Sequence, residues 1–238
     1  MELQNKVAII TGASGGIGEA VARDLDAAGM KLVLTARSQD KLERLVSSFK
    51  NAKAVPGEIT DPGLPQKLVD TAIQAFGQLD VVFSNAGVMT VGSIEEVDIE
   101  KICDMVRINV ESVYRMAYTA LRYFKQTGSG FLIHTSSISG LKTVPNIGAY
   151  CGTKFAIEAF TDSLRMELAG TGIGVACIEP GTVDTGLYQS WDEKNKDFVF
   201  SGGALQPEDI ARCVRFILEQ PAHMLIPRLL AVPASEPV

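Results

Sequence analysis

Short apolar runs alternate with longer amphipathic stretches along the whole chain. "KVAIIT" (6–11) is the first such run, and a glycine-rich turn follows it. Apolar residues then recur at helical spacing over 17–28, up to Gly29. "KLVLTA" (31–36) is a second run with a helical pattern over 39–50 behind it, and "AKAVP" (52–56) is a weaker third. Further helices are predicted over 64–76, stopped by Gly77, and over 99–125, 149–169 and 207–219. Further strands are predicted over 79–87, 130–137, 173–181 and 225–232.

Apolar runs of this length, without polar alternation, suit parallel strands covered on both faces. The expectation is a single α/β domain over 1–238. It is a doubly wound, Rossmann-like parallel sheet of about seven strands with helices on both sides. Pro227, inside the last pattern, marks an edge strand. The segment 184–206 has weak periodicity. It sets Tyr188, Trp191, Phe198 and Phe200 among polar residues and ends in Gly202-Gly203. A long aromatic loop with glycine hinges is expected to close over a substrate.

Composition narrows the class. The chain has 238 residues, 46% apolar and 21% charged, enough for one large core without staples. A net charge of −6 leaves no basic surface for general nucleic-acid binding. No apolar run approaches membrane-spanning length, and the N-terminus lacks a signal-peptide pattern. Cys103, Cys151, Cys177 and Cys213 stand at no CxxC spacing, and two histidines are too few for a common zinc pattern. The expectation is a cytoplasmic protein without a metal, its thiols reduced and mostly buried.

The turn "TGASGGIG" (11–18) joins the first strand to the first helix. Gly12, Gly16 and Gly18 let a pyrophosphate approach main-chain N–H groups at a helix N-terminus. The spacing is neither the commoner G-x-G-x-x-G nor a Walker A loop. An acid that would hold a ribose 2′-OH is absent after the second strand, where "LTARS" places Ala36 and then Arg37. An arginine there can pair a 2′-phosphate, which favours NADP(H) while leaving NAD(H) possible. Gly15 leaves the turn itself without a second basic residue.

"AYCGTKFAIEAF" (149–160) places a phenol and an ammonium, Tyr150 and Lys154, four residues apart on one helix face. They follow a strand that ends at Ser136 and Ser137, and Asn85 ends another; ligands bind at such strand ends. With T11-G-A-S-G-G-I-G18, N85-A-G87, Asn109, Ser137, Y150-C-G-T-K154 and P180-G181 in order, the chain resembles the short-chain dehydrogenase/reductase family over nearly its whole length.

That resemblance implies a nicotinamide cofactor and a catalytic set that falls on Asn109, Ser137, Tyr150 and Lys154. It places the dinucleotide on Gly12, Ser14, Gly16, Ile17, Gly18, Arg37, Asn85, Ala86, Gly87, Tyr150 and Lys154. Pro180, Gly181, Thr182 and Thr185 would clasp the nicotinamide end. Glu58 and Ile59 stand where the family often has Asp-Val beside the adenine. Tyr150 would donate the proton, and Lys154 and the oxidised nicotinamide would lower its pKa. Ser137 would bond the substrate oxygen, and Asn109, in a buried kink between Ile108 and Val110, would hold a water linking Lys154 to solvent. Ser136 is read as a strand-end hydrogen bonder.

Met89, Val91, Ser139, Leu141, Val144, Asn146 and Tyr188 are the expected pocket residues. Most are apolar, which suits a small, moderately hydrophobic ketone or secondary alcohol. Lys142 is the one cation placed to meet a carboxylate. After the last strand only "PASEPV" remains, so no tail is expected over the site. The helices over 99–125 and 149–169 are apolar on several faces, which predicts a homodimer or homotetramer through them, as the family also implies. Two other readings stay open: a dinucleotide sensor without turnover, and a cofactor-retaining epimerase or dehydratase.

Overall fold

A computed structural model describes residues 1–188, 191, 200 and 202–236. Its strands are β1 (Val7–Thr11), β2 (Lys31–Thr35), β3 (Ala52–Ala54), β4 (Val81–Ser84), β5 (Gly130–Thr135), β6 (Ile173–Pro180) and β7 (Arg228–Ala231). They form one sheet in the order β3-β2-β1-β4-β5-β6-β7. Every pairing in it is parallel. The chain builds outward from β1 to β3, then returns to β4 on the other side of β1. The reversal between β1 and β4 leaves a crevice at their carboxyl ends. β7 is an edge strand. The Pro227 carbonyl still accepts from Cys177 N at 3.0 Å, but the strand proper begins one residue later.

The helices are α1 (Gly16–Ala27), α2 (Gln39–Ser47), α3 (Leu64–Phe76), α4 (Ile99–Val106), α5 (Ser112–Thr127), α6 (Gly148–Glu167) and α7 (Pro207–Leu218). Alternate residues of each strand feed the two apolar layers. Ala8, Ile10, Leu32, Leu34, Phe83 and Ile178 pack with Val21 and Leu25 of α1, Leu42 of α2 and Val214 of α7. Val7, Ile9, Val33, Val82, Leu132 and Val175 pack with Leu68 of α3, Phe124 of α5 and Leu164 of α6. Strands covered on both faces explain why their sequences read as unbroken apolar runs.

The predicted helix over 99–125 is interrupted. A π-helical turn, Arg107–Glu111, separates α4 from α5 and buries Asn109, as the expected kink required. Helix ends follow local chemistry: the Asp98 carboxylate accepts from Glu100 N and Lys101 N at the start of α4, and Gly77 and Gly128 close α3 and α5 in left-handed backbone. Of the four cysteines, Cys151 and Cys177 are buried as expected, Cys213 is half-buried, and Cys103 is exposed, because α4 turns it outward; all four are free.

Candidate active site

The carboxyl ends of β1, β4, β5 and β6 open into one cleft of roughly 1060 Å³. Its first wall is the turn between β1 and α1. Gly12 has φ 66, and a Cβ there would stand 2.9 Å from Ala86 Cα. A Cβ on Gly18 would collide with the Gly12 carbonyl, so Gly18 backs the turn instead of lining the cleft. The loop from Asn85 to Gly87 is tied to this turn by hydrogen bonds. Thr11 Oγ1 accepts from Asn85 N at 2.9 Å and Ala86 N at 3.0 Å, and Asn85 Nδ2 donates to Thr11 O at 3.3 Å. Thr135 Oγ1 donates to Asn85 Oδ1 at 3.3 Å, which joins β5 to the same junction.

Main chain with open space where a Gly15 side chain would stand, at a helix N-terminus, fits a pyrophosphate. Exposed Arg37 and Lys41 line this end of the cleft. Lys41 was missed in the sequence. Its signal was its spacing, one helical turn past Arg37 in the first turn of α2.

The other end is built on α6. Tyr150 and Lys154 both line the cleft and are both buried. Lys154 Nζ donates to Thr135 O at 2.8 Å and lies 5.6 Å from the centre of the Tyr150 ring. Ser137 Oγ accepts from Ser139 N at 3.1 Å and donates to Pro180 O at 3.4 Å. Burial, then the Tyr188 phenol, raises the Tyr150 pKa above the usual range, and a hydrogen bond with Ser137 opposes them. The groups expected to lower that phenol are the Lys154 ammonium and an oxidised nicotinamide. Burial is the largest of these influences, and the Lys154 ammonium is directed at the Thr135 carbonyl. Burial also pushes Lys154 down to about 8, against Cys177 and Glu158, which favour its charged form.

Asn109 lies behind the cleft. Its Oδ1 accepts from Val88 N at 2.9 Å, and its Nδ2 donates to Val88 O at 2.8 Å and Thr153 Oγ1 at 3.3 Å. The side chain therefore clamps the strand-end loop to α6. Ser136 does hydrogen-bond at the strand end, through its main-chain N–H to Ile178 O at 2.8 Å, while its buried Oγ has no partner among the described residues.

Ser14, Gly16, Ile17, Gly87, Met89, Val91, Ser139, Val144, Asn146, Pro180, Gly181, Thr182, Thr185 and Tyr188 all line the cleft. Glu58, Ile59 and Leu141 do not. Glu58 and Leu141 are exposed, and Ile59 packs on the apolar layer below α3. Phe198 lies outside the described residues. Among the described residues, no group of His, Cys, Asp and Glu could hold a metal, and no helix is long and apolar enough to cross a membrane.

The tail was misjudged. Glu236 lines the cleft, and its Oε2 accepts from Thr182 N at 3.0 Å. The turn that brings it back, Glu236 N to Pro233 O at 2.9 Å, needs only four residues and has no strong sequence signature.

The family described as short chain dehydrogenase matches residues 6–196. An uncharacterized oxidoreductase of Staphylococcus aureus strain USA300 is 34% identical over 97% of this chain and 98% of its own. An alcohol dehydrogenase of the archaeon Thermococcus sibiricus, solved with 5-hydroxy-NADP, superposes with a TM-score of 0.86 at 30% identity, over 98% of both chains. A 3-ketoacyl-(acyl-carrier-protein) reductase of Brucella melitensis, solved with NADH, gives 0.89 at 29% identity, over 98% of this chain and 99% of that one.

Proposed function

The chain belongs to the short chain dehydrogenase family, and from that premise we propose that it prefers NADP(H) and interconverts a small, moderately hydrophobic ketone and its secondary alcohol, with Tyr150 as acid and base. The chain is an NAD(P)-dependent oxidoreductase acting on a CH–OH or C=O group. The observation that carries the finer reading is the meeting of Ser137, Tyr150 and Lys154 in the same cleft as the glycine turn.

The dinucleotide, when bound, supplies the hydride for reduction or accepts it in oxidation. The residues would divide the remaining work. The Gly12–Gly18 turn and the N-terminus of α1 hold the pyrophosphate. Pro180, Gly181, Thr182 and Thr185 border the nicotinamide end. Ser137 Oγ, aimed by Ser139 N, hydrogen-bonds the substrate oxygen. Tyr150, kept protonated by burial, donates its proton to the developing alkoxide; in the reverse direction it takes that proton back. Lys154 offers its charge to the forming phenolate and restrains the ribose hydroxyls, while Asn109 holds Val88 and α6 in register.

NADP(H) is favoured by two exposed cations, Arg37 and Lys41, beside a β2 end that carries no acid. The alcohol dehydrogenase above was solved with 5-hydroxy-NADP and the reductase with NADH, so these cations and not kinship support the preference. The segment 184–206 serves as the substrate loop: Tyr188 stacks edge-on against Trp191 and Phe200 with ring centres 5.1 and 5.3 Å apart, at the cleft. Exposed Val106, Tyr118, Phe155 and Met166 along α4, α5 and α6 suit a homodimer or homotetramer through these helices.

The test is loss of NADPH absorbance with a panel of ketones, aldehydes and diketones, with Tyr150→Phe alongside. Turnover should fall about a thousandfold in the variant while NADPH binding persists. A variant that keeps wild-type turnover removes Tyr150 from the proposed role.

A further inference from the structure

Beyond β7 the chain folds back over the reaction end of the cleft. Ser235 Oγ donates to Gly202 O at 2.5 Å, and the Glu236 carboxylate accepts from Thr182 N at 3.0 Å. Residues 233–236 therefore strap together the two ends of the segment 182–203. Gly181 makes the strap possible: a Cβ there would run into the Glu236 carboxylate and stand 3.0 Å from Val232 Cγ1. A bare backbone position faces an acid side chain directly.

The charges that line the cleft are unevenly placed. Arg37 and Lys41 mark the end beside the glycine turn, and Lys154 is buried on α6. Lys142 and Glu236 remain at the reaction end, and Glu236 is the one carboxylate lining the cleft among the described residues. It lies close enough to Tyr188 for its charge to raise that phenol's pKa, behind burial as the larger cause. A carboxylate can accept several hydrogen bonds, and one main-chain N–H does not exhaust it.

We propose that Glu236 is a specificity-determining residue whose carboxylate selects ketones or alcohols carrying an ammonium or hydroxyl donor on the Gly181–Thr182 side and rejects those carrying a carboxylate or phosphate there. The proposal rests on the reductase reading for the reaction but concerns binding. A donor would complete the hydrogen bonding of a partly buried acid, whereas a second anion would add like-charge repulsion in a cleft that screens poorly. Specificity of this kind works by disfavouring the wrong ligand as much as by favouring the right one.

Equilibrium binding to the intact chain, measured calorimetrically in the presence of NADP⁺, separates the two readings. The probes are acetophenone, its ring carboxylate and its ring aminomethyl derivative. The wild type should bind the cationic probe tightest and the carboxylate weakest. Glu236→Gln should raise carboxylate affinity relative to acetophenone by about tenfold and lower that of the aminomethyl probe by a similar factor. Ser235→Ala, which removes the bond to Gly202 O and no charge, should leave these ratios within about twofold.

Equal wild-type affinities for the three probes, ratios that Glu236→Gln does not move, or an equal shift in Ser235→Ala overturns the charge selection. Wild-type protein that ranks the probes as expected, yet reduces none of them with NADPH, leaves the selection standing and counts against the reductase reading.

Discussion

Two successive turns of α6 bury ionisable groups and direct them to different places. The first carries Tyr150 and Lys154 into the cleft. The next carries Glu158 toward β6, where Glu179 is buried as deeply. Arg228 approaches both acids, Nε lying 3.4 Å from Glu158 Oε2 and 3.9 Å from Glu179 Oε1, while its Nη2 holds Asp162 at 2.5 Å. As ionised groups the two glutamates offer each other no donor, and among the described residues three of their oxygens find no hydrogen bond. Burial, and then the like charge of Glu158, pushes Glu179 up to about 7. In both turns burial moves a group toward its neutral form. What separates them is access: one shifted group borders open space beside a glycine turn, and the other is sealed between helix and sheet. A perturbed pKa alone does not mark a site.

The comparison breaks hardest at Lys154→Met. On the proposed function this variant loses at least about a hundredfold in turnover. Its stability should move the other way. Lys154 titrates near 8 in the fold against 10.5 in the unfolded chain. Below about pH 8 the fold therefore bears the full cost of the buried cation, and that cost fades as pH rises toward 10.5. The variant should be more stable than wild type at pH 7, by on the order of 1 kcal/mol after the loss of the bond to Thr135 O, with the gain gone near pH 10.5. Urea unfolding at both pH values measures it. A variant less stable than wild type at pH 7 would show that the ammonium holds the fold together.

Glu179→Gln should separate the two turns from the other side. A carboxyl raised from 4.5 to about 7 is stabilised in its protonated form, so the fold loses stability as pH rises through that window and bears the full cost above it. The glutamine variant should be more stable than wild type at pH 8, by up to about 3 kcal/mol, and should match it at pH 4. Turnover should stay within about twofold, because Glu179 does not line the cleft. A stability difference that is the same at both pH values would place the titrating proton elsewhere, for example on buried His134, which burial pushes down to about 4.

The same contrast explains which features are legible in the sequence alone. The seven strands and their order of appearance follow from apolar runs, because each strand is covered on both faces. Tyr150, Lys154 and the glycine turn are legible because their chemistry acts through local spacing. Glu158 and Glu179 are not, because a single acid in an apolar helix or strand gives no local sign that another lies opposite; β6 and β7 bring Glu179 and Arg228 together. Glu236 was lost for a related reason: its contact with Thr182 spans 54 residues and depends on how β7 ends. A buried kink at Asn109 was legible from its two apolar flanks, but its form as a π-helical turn and its clamp on Val88 needed the loop after β4 to be placed.

The smallest effect tests whether the two turns are linked. Glu158 is one of the charges that favour the ammonium of Lys154, which burial opposes. Glu158→Gln removes that support, so Lys154 should lose its proton at lower pH than about 8, and the limb of the pH–rate profile that reports it should move down. The shift should be under about one unit for a reason built into the cluster. Glu158 also holds Glu179 up, so its removal lets Glu179 ionise at neutral pH and restores a negative charge nearby. The double variant, Glu158→Gln with Glu179→Gln, denies that compensation and should shift the limb further than Glu158→Gln alone. A purely structural role would lower the rate evenly at every pH and leave the limb in place, in both the single and the double variant. Equal shifts in the two would cut Glu179 out of the linkage, and the second turn would then stabilise or destabilise α6 without speaking to the first.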